Sequence, residues 1–191
     1  MANANIAFGL KAIREAGNGP FNGAVNMYYH PASDSTALYI GDPVIKNGSA
    51  DAAGVPGIVR AAASSALTGA VVGFVPDGVV DIAGFGAAST AYYVLVADDP
   101  NQEFEVQEDS VGGALAAADI GLNADIVAGS GSAYTKRSGF QLDTSTKATT
   151  ATLPLKILGL VQSPNNAIGN NAKIRVRINN HTEAPASTGI S

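Results

Sequence analysis

The chain of 191 residues has no cysteine and no tryptophan, and only 14% of its residues are charged. The absence of cysteine excludes disulfide frameworks, thiolate zinc sites and thiol catalysis. No apolar run reaches the 18 residues of a membrane-spanning helix, so we expect no membrane partner. The first residues lack the basic segment and apolar run of a secretory signal, which favours synthesis in the cytoplasm.

Basic charge is also scarce. Eleven Lys and Arg stand against sixteen Asp and Glu, giving a net charge of −5. A general nucleic-acid-binding protein carries a strongly basic surface, so we expect no nucleic-acid partner. The two histidines occupy no catalytic or metal-binding motif, and no phosphate-binding loop or calcium loop occurs. We therefore predict no catalytic residue, no metal site, no cofactor and no enzymatic activity.

Short strand signals separated by glycine-rich turns fill the sequence. They predict a mainly β fold: a small β-barrel or sandwich with one short helix and extended N- and C-terminal arms. We expect an arm with short strands over 1–64, a barrel-like domain over 65–180 and an exposed tail over 181–191. The predicted strands lie at 25–30, 36–40, 44–45, 58–63, 67–75, 79–82, 91–97, 103–107, 123–128, 153–161 and 173–179.

Three local features lead to more specific predictions. Strands 91–97 and 103–107 flank a turn-like link, which favours a hairpin between them. Asn47-Gly48 is the strongest hairpin dipeptide in the chain. The alanine-rich stretch 110–120 suits the one helix, with Ser110 as its N-cap. Segment 129–152 is rich in Ser and Thr, with Phe140 and Leu142 as its large apolar residues, and a loop, an edge hairpin and a contact surface all remain open for it.

The N-terminal arm carries four large apolar side chains, Ile6, Phe8, Leu10 and Ile13, ahead of a Gly/Asn/Pro joint. The patch could form one or two helical turns. It could be disordered alone, or it could dock on its own domain or on a neighbouring molecule. We predict that these four residues contact a partner, because burying one such side chain contributes about 1.5–3 kcal/mol.

A second predicted contact surface is the strand around Lys173, Arg175 and Arg177. These cations alternate with aliphatic residues, so a strand places all three on one face. The face could be an ordinary half-exposed strand or a basic stripe that docks on an acidic protein surface. Nucleic acid suits it less well, since no aromatic residues interleave with the cations.

Six of the sixteen acidic residues fall within twelve positions. The run could be a solvated strand edge, a cation site or a contact for a basic partner. Two of its members, Glu103 and Glu105, share a strand face, which leaves a glycosidase pair conceivable. The run consists of Asp98, Asp99, Glu103, Glu105, Glu108 and Asp109.

Several segments, with the Met-Ala-Asn-Ala start, resemble the capsid decoration (cement) and virion structural proteins of tailed bacteriophages. The resemblance covers roughly residues 65–181 and contains no motif with chemistry of its own. The segments are 67–74 (LTGAVVGF), 96–107 (VADDPNQEFEVQ), 121–127 (GLNADIV), 155–161 (LKILGLV) and 178–181 (INNH).

This resemblance implies a homotrimeric β-rich subunit on the outer surface of the phage head, with the major capsid protein as its partner. Such a subunit would stabilise the capsid shell by binding the assembled lattice. One alternative is another virion component, such as a tail tube or head–tail protein. A further alternative is a glycan-hydrolysing module that uses Glu103 and Glu105, or a glycan-binding module. A binding module would need exposed aromatic residues, for which Tyr92, Tyr93 and Tyr134 are the few available.

Overall fold

The protein is mainly β, with two sheets and almost no helix, as the strand signals predicted. The computed structural model describes residues 3–76 and 84–189. The predicted strand at 79–82 lies outside these residues. The strands are β1 (Lys11–Glu15), β2 (Asn26–His30), β3 (Pro43–Ala50), β4 (Pro56–Arg60), β5 (Gly69–Phe74), β6 (Tyr92–Ala97), β7 (Gln102–Gln107), β8 (Asn123–Val127), β9 (Gln141–Ala148), β10 (Leu155–Leu160) and β11 (Lys173–Ile178).

The first sheet is a closed five-stranded barrel in the order β2-β4-β3-β5-β6. All its strand pairs are antiparallel except β2 with β4. Closure leaves no free sheet edge, which removes the pairing surface that promotes aggregation. Its interior is filled by Tyr28, Leu38, Val44, Ile58, Val71, Tyr92, Val94 and Val96.

The second sheet has six strands in the order β1-β7-β11-β10-β8-β9. It curls around a larger core that includes Phe104, Phe140 and Leu142. A bridge between Glu108 and Leu142 brings the chain after β7 back to β9, and the Asp109 amide donates to the Leu142 carbonyl at 3.1 Å. The sheet therefore nearly closes into a second barrel, and Phe140 and Leu142 anchor the Ser/Thr-rich segment in its core.

The predicted hairpin between β6 and β7 is wrong. The two strands lie in different sheets: β6 pairs with β2 and β5, whereas β7 pairs with β1 and β11. Both edges of β6 are thus occupied within the first barrel. The link between β6 and β7 is therefore a crossing from one sheet to the other.

The predicted helix over 110–120 is also wrong. Only Ala117–Asp119 forms a single 3-10 turn. Ser110, Gly112 and Gly113 have φ values of 62°, 76° and 114°, in the left-handed region that an α-helix cannot use. Ser110 is accordingly not an N-cap, and its amide donates to the Glu108 carboxylate at 2.8 Å.

Asn47-Gly48 does not form the turn that the dipeptide predicted. It lies inside β3, where a shift in register between Lys46 and Ala50 marks a bulge against β4. The turn sits instead after Asp51, whose carboxylate accepts the Ala53 amide at 2.9 Å and the Val55 amide at 2.8 Å. This side-chain acceptor is the usual stabiliser of an Asx turn, so Asp51 fixes the reversal.

Both expected arms are docked on the domain. The N-terminal segment is extended and leads into β1, with no helical turn. The tail is exposed at residues 182–183 and 185–188, as predicted, whereas His181 is buried and bridges Leu67. The Gly189 amide donates to the Thr149 carbonyl at 3.0 Å, so the tail is fixed to its last described residue.

The strand assignments also differ locally from the expected ones. In place of a strand over 36–40, the chain makes isolated bridges at Leu38 and Ile40. The expected boundary at residue 64 falls within the first barrel, whose strands come from both sides of it. The barrel pairs β3 with β5 across that position, so the strands β2 to β6 pack around one core.

Candidate interaction face

The charged side chains of β1, β7, β10 and β11, except Glu15, meet on one outer surface, which we call the ladder face. The predicted alternation in β11 is confirmed: Ile174, Val176 and Ile178 are buried, and the cations between them point outward. Direct register partners point to the same side of a sheet. These partners are Lys11 with Glu105, Arg14 with Glu103, Lys173 with Gln107, Arg175 with Glu105, Arg177 with Glu103 and Lys156 with Arg177.

Glu103 is the electrostatic centre of the ladder face. Its Oε2 accepts a hydrogen bond from Arg14 Nε at 2.7 Å and lies 3.3 Å from Arg175 Nε. The Glu103 side chain is only 8% exposed, whereas the two arginines are about one-third exposed. One carboxylate from β7 thus orders a guanidinium from each neighbouring strand.

The rest of the face carries excess positive charge. Lys11 makes a longer pair with Glu105 at 3.6 Å. Lys156, Lys173 and Arg177 have no carboxylate within 4 Å among the described residues. Lys156 instead donates to the Thr188 carbonyl of the tail at 3.0 Å. Six of the chain's eleven cations therefore face outward beside two carboxylates.

The structure separates the four arm residues that were predicted to contact a partner. Phe8 and Leu10 are buried, at 8% and 2% exposure, in the chain's own fold. Ile13 is half-buried in β1, whereas Ile6 is 66% exposed. Of the four, Ile6 offers the most surface to a partner.

Gln107 holds the N-terminal segment in place. Its Nε2 donates to the Ala4 carbonyl at 2.7 Å, and its Oε1 accepts the Ile6 amide at 2.9 Å. Asn3 adds a second anchor, because its side chain donates to the Ala167 and Asn170 carbonyls at 2.9 Å. The segment is thereby ordered by polar contacts within the chain.

The acidic run does not form a single surface. Asp98 accepts from Tyr28 Oη at 2.6 Å, and this contact, together with burial, raises the pKa of Tyr28. Glu108 is fully buried and binds the Ser110 amide, whereas Glu103 belongs to the ladder face. Within residues 3–76 and 84–189, no group of three or more His, Asp or Glu side chains could hold a metal ion.

A recessed surface lies beside the ladder face, where the two sheets meet. Clefts of about 340 and 500 Å³ share Phe8 and Arg137 as lining residues. Ile40 and Lys11 line the first cleft, and Ile6 and Lys173 line the second.

No helix in the described part of the chain is long and apolar enough to cross a membrane.

Sequence reasoning identified the β11 cations but missed the other cations of the ladder face. Lys156 stands between Leu155 and Ile157, so the same alternation could have placed it outward. Arg14 had no such signal, because its partner Glu103 lies 89 residues away. Arg137 also had no local signal, since tertiary packing brings it to the same cleft as Phe8.

A comparison of the chain with protein-family models, curated proteins and solved structures finds no match.

Proposed function

We propose that this protein is a non-enzymatic structural subunit that docks through the ladder face on an acidic protein surface. The observation that carries the proposal is the charge of this face. Its six cations and two carboxylates give +4, although the whole chain carries −5, so the remainder carries −9. Such polarity orients a subunit as it approaches an acidic partner and repels wrong orientations.

The ladder face is also ordered before any partner arrives. Arg14 and Arg175 are held by Glu103, and the backbone beneath them is paired in the sheet. Immobilising a long side chain at an interface costs about 0.5–1.5 kcal/mol, and a side chain that is already held avoids part of this cost. This order favours a stable docking surface over a transient one.

The partner we propose is the major capsid protein of a tailed bacteriophage, on the outer surface of the head. The resemblance of residues 65–181 to decoration proteins supports this choice. A homotrimer would present the ladder face three times, and multivalent attachment would raise the overall affinity without any new type of contact. Binding only the assembled shell would stabilise that shell by mass action.

The test is co-sedimentation of the purified full-length chain with phage heads that lack it, with the mass of the free chain measured by light scattering. We expect saturable binding and a trimeric mass. The double variant Arg177→Gln/Lys156→Gln should bind on the order of tenfold more weakly, because exposed charge pairs contribute up to about 1 kcal/mol each.

The matched control is Lys46→Gln/Lys136→Gln, which removes the same charge outside the ladder face. This variant should bind heads like the wild type. The melting temperature of each variant identifies any loss that comes from unfolding, including a loosened tail at Lys156. Absence of binding to heads, or equal loss in both double variants, would contradict the proposed docking surface.

A further inference from the structure

The recessed surface between the two sheets combines apolar walls with unopposed positive charge. We call it the junction groove and define it by Ile6, Phe8, Ile40, Arg137 and Lys173. Its two clefts, of about 340 and 500 Å³, fall in the range of pockets that bind ligands, and Phe8 and Arg137 line both. Because both clefts are lined by these two residues, the clefts adjoin and form one elongated groove. An elongated groove suits a peptide segment better than a compact small molecule.

The groove walls are fixed by backbone contacts. Leu10 donates to the Gly41 carbonyl at 2.8 Å, and Ile40 donates to the Lys136 carbonyl at 3.1 Å. The loop that carries Arg137 is closed by a bond from the Ser132 amide to the Arg137 carbonyl at 2.9 Å. A preformed groove spares a ligand the cost of ordering these loops.

The positive charge of the groove favours a ligand that carries carboxylates. Every charged residue that lines the two clefts in the described part of the chain is a cation: Lys11, Arg137 and Lys173. No described carboxylate lies within 4 Å of Arg137 or Lys173. Positive charge without a local partner attracts carboxylates from a ligand.

The apolar part of the groove is accessible to a ligand. Ile40 is 39% exposed and Ile6 far more so, although both backbones are hydrogen-bonded. Phe8 is buried and lines both clefts. Large exposed apolar side chains beside an arginine are typical of protein interfaces, where such residues contribute much of the binding energy.

From these observations we infer that the junction groove binds a segment of a partner protein that combines carboxylates with large aliphatic or aromatic side chains. Its carboxylates would pair with Arg137 and Lys173, and its apolar side chains would cover Ile6 and Ile40. This inference goes beyond the docking of the ladder face and does not depend on the identity of the shell.

The test is selection of a displayed library of random twelve-residue peptides on the full-length wild-type chain. We expect recovered peptides to be enriched in Asp and Glu together with Leu, Ile or Phe. Fluorescence polarisation with a synthetic copy of the best peptide should show at least tenfold weaker binding to Arg137→Glu and about threefold weaker binding to Ile40→Ser. Binding should also weaken between 0.15 and 0.5 M salt, where screening is stronger.

Two control variants separate the groove from general effects. Val111→Ser removes an apolar side chain that is 60% exposed outside the groove, and Arg177→Glu reverses a charge on the ladder face. Both should bind the peptide like the wild type, whatever they do to head binding. Should Arg137→Glu unfold, Arg137→Gln replaces it, with an expected loss of about fivefold.

Three results would overturn the inference. The library could yield no binder above background, or peptides without acidic enrichment. The selected peptides could bind Arg137→Glu as tightly as the wild type. Sedimentation could also show self-association that Arg137→Glu abolishes while no peptide binds, which would assign the groove to a second copy of this chain.

Discussion

Glu103 offers the most direct test of how the ladder face is built. The substitution Glu103→Gln keeps the shape of the side chain and removes its charge. In the wild type, Glu103 Oε2 lies 2.7 Å from Arg14 Nε and 3.3 Å from Arg175 Nε. A glutamine amide oxygen in that position carries no negative charge to hold the two guanidinium groups. The variant therefore measures the charge-assisted part of these contacts.

The expected cost follows from the geometry. A hydrogen bond to a charged group contributes about 1.5–3 kcal/mol, against about 0.5–1.5 kcal/mol for a neutral one. Arg14 loses this difference in its hydrogen bond and Arg175 loses an ion pair, and the exposure of about one-third of both side chains reduces these losses. We expect the free energy of unfolding to fall by about 2 kcal/mol and the melting temperature to fall by about 4–8 °C.

Glu105→Gln is the matched control on the same strand and the same face. Among the described residues Glu105 forms an ion pair with the exposed Lys11 alone, at 3.6 Å, so its loss should cost below about 0.5 kcal/mol. Urea denaturation followed by circular dichroism gives both free energies. Added salt at 0.5 M should shrink the effect of Glu105→Gln more than that of Glu103→Gln, since buried pairs are screened less.

The reasoning about Glu103 fails if the two variants unfold at the same urea concentration with equal slopes. A changed slope in Glu103→Gln alone would point to an altered denatured or native state. In that case the difference in free energy would not measure the arginine contacts.

Two further perturbations test the docked termini. Burial lowers the pKa of His181, so the folded chain binds a proton there less readily than the unfolded chain does. The folded state is therefore at no disadvantage from this group above the unfolded pKa of about 6.5, and it loses stability as the pH falls below that value. In His181→Gln the melting temperature should fall less between pH 7.5 and 5.5 than it does in the wild type. Gly9→Ala should cost at least about 2 kcal/mol in urea unfolding, because φ is +74° and a methyl group would overlap the Gly41 carbonyl. Gly23→Ala, at φ +83° with nothing within 4 Å, should cost only about 1 kcal/mol, and equal losses in the two glycine variants would refute the steric argument.

The ladder face shows where sequence reasoning succeeds. The alternation in β11 predicted three outward cations, because successive side chains of any strand point to opposite faces. Alternation could not identify their partners. Glu103 and Arg175 are separated by 72 positions, and they meet only because β7 and β11 pair as neighbours.

The predicted helix over 110–120 shows where local propensity fails. Its alanines favour a helix, yet Gly112 and Gly113 adopt left-handed backbone angles and the chain remains a loop. Leu115 is drawn into the core of the second sheet instead. Burial of one large side chain thus outweighed the helix preference of its small neighbours.

The sequence by itself determined that the fold is mainly β and that β11 has one apolar and one basic face. Both properties arise from turn residues and from the two-residue period of a strand, which are local. Only the tertiary structure decided that β6 and β7 lie in different sheets, that the N-terminal segment lies against Gln107, and that Arg137 and Phe8 line the same clefts. These outcomes depend on which strand edges and core positions remain available after segments that are distant in sequence have paired. A local sequence pattern contains no information about that long-range pairing.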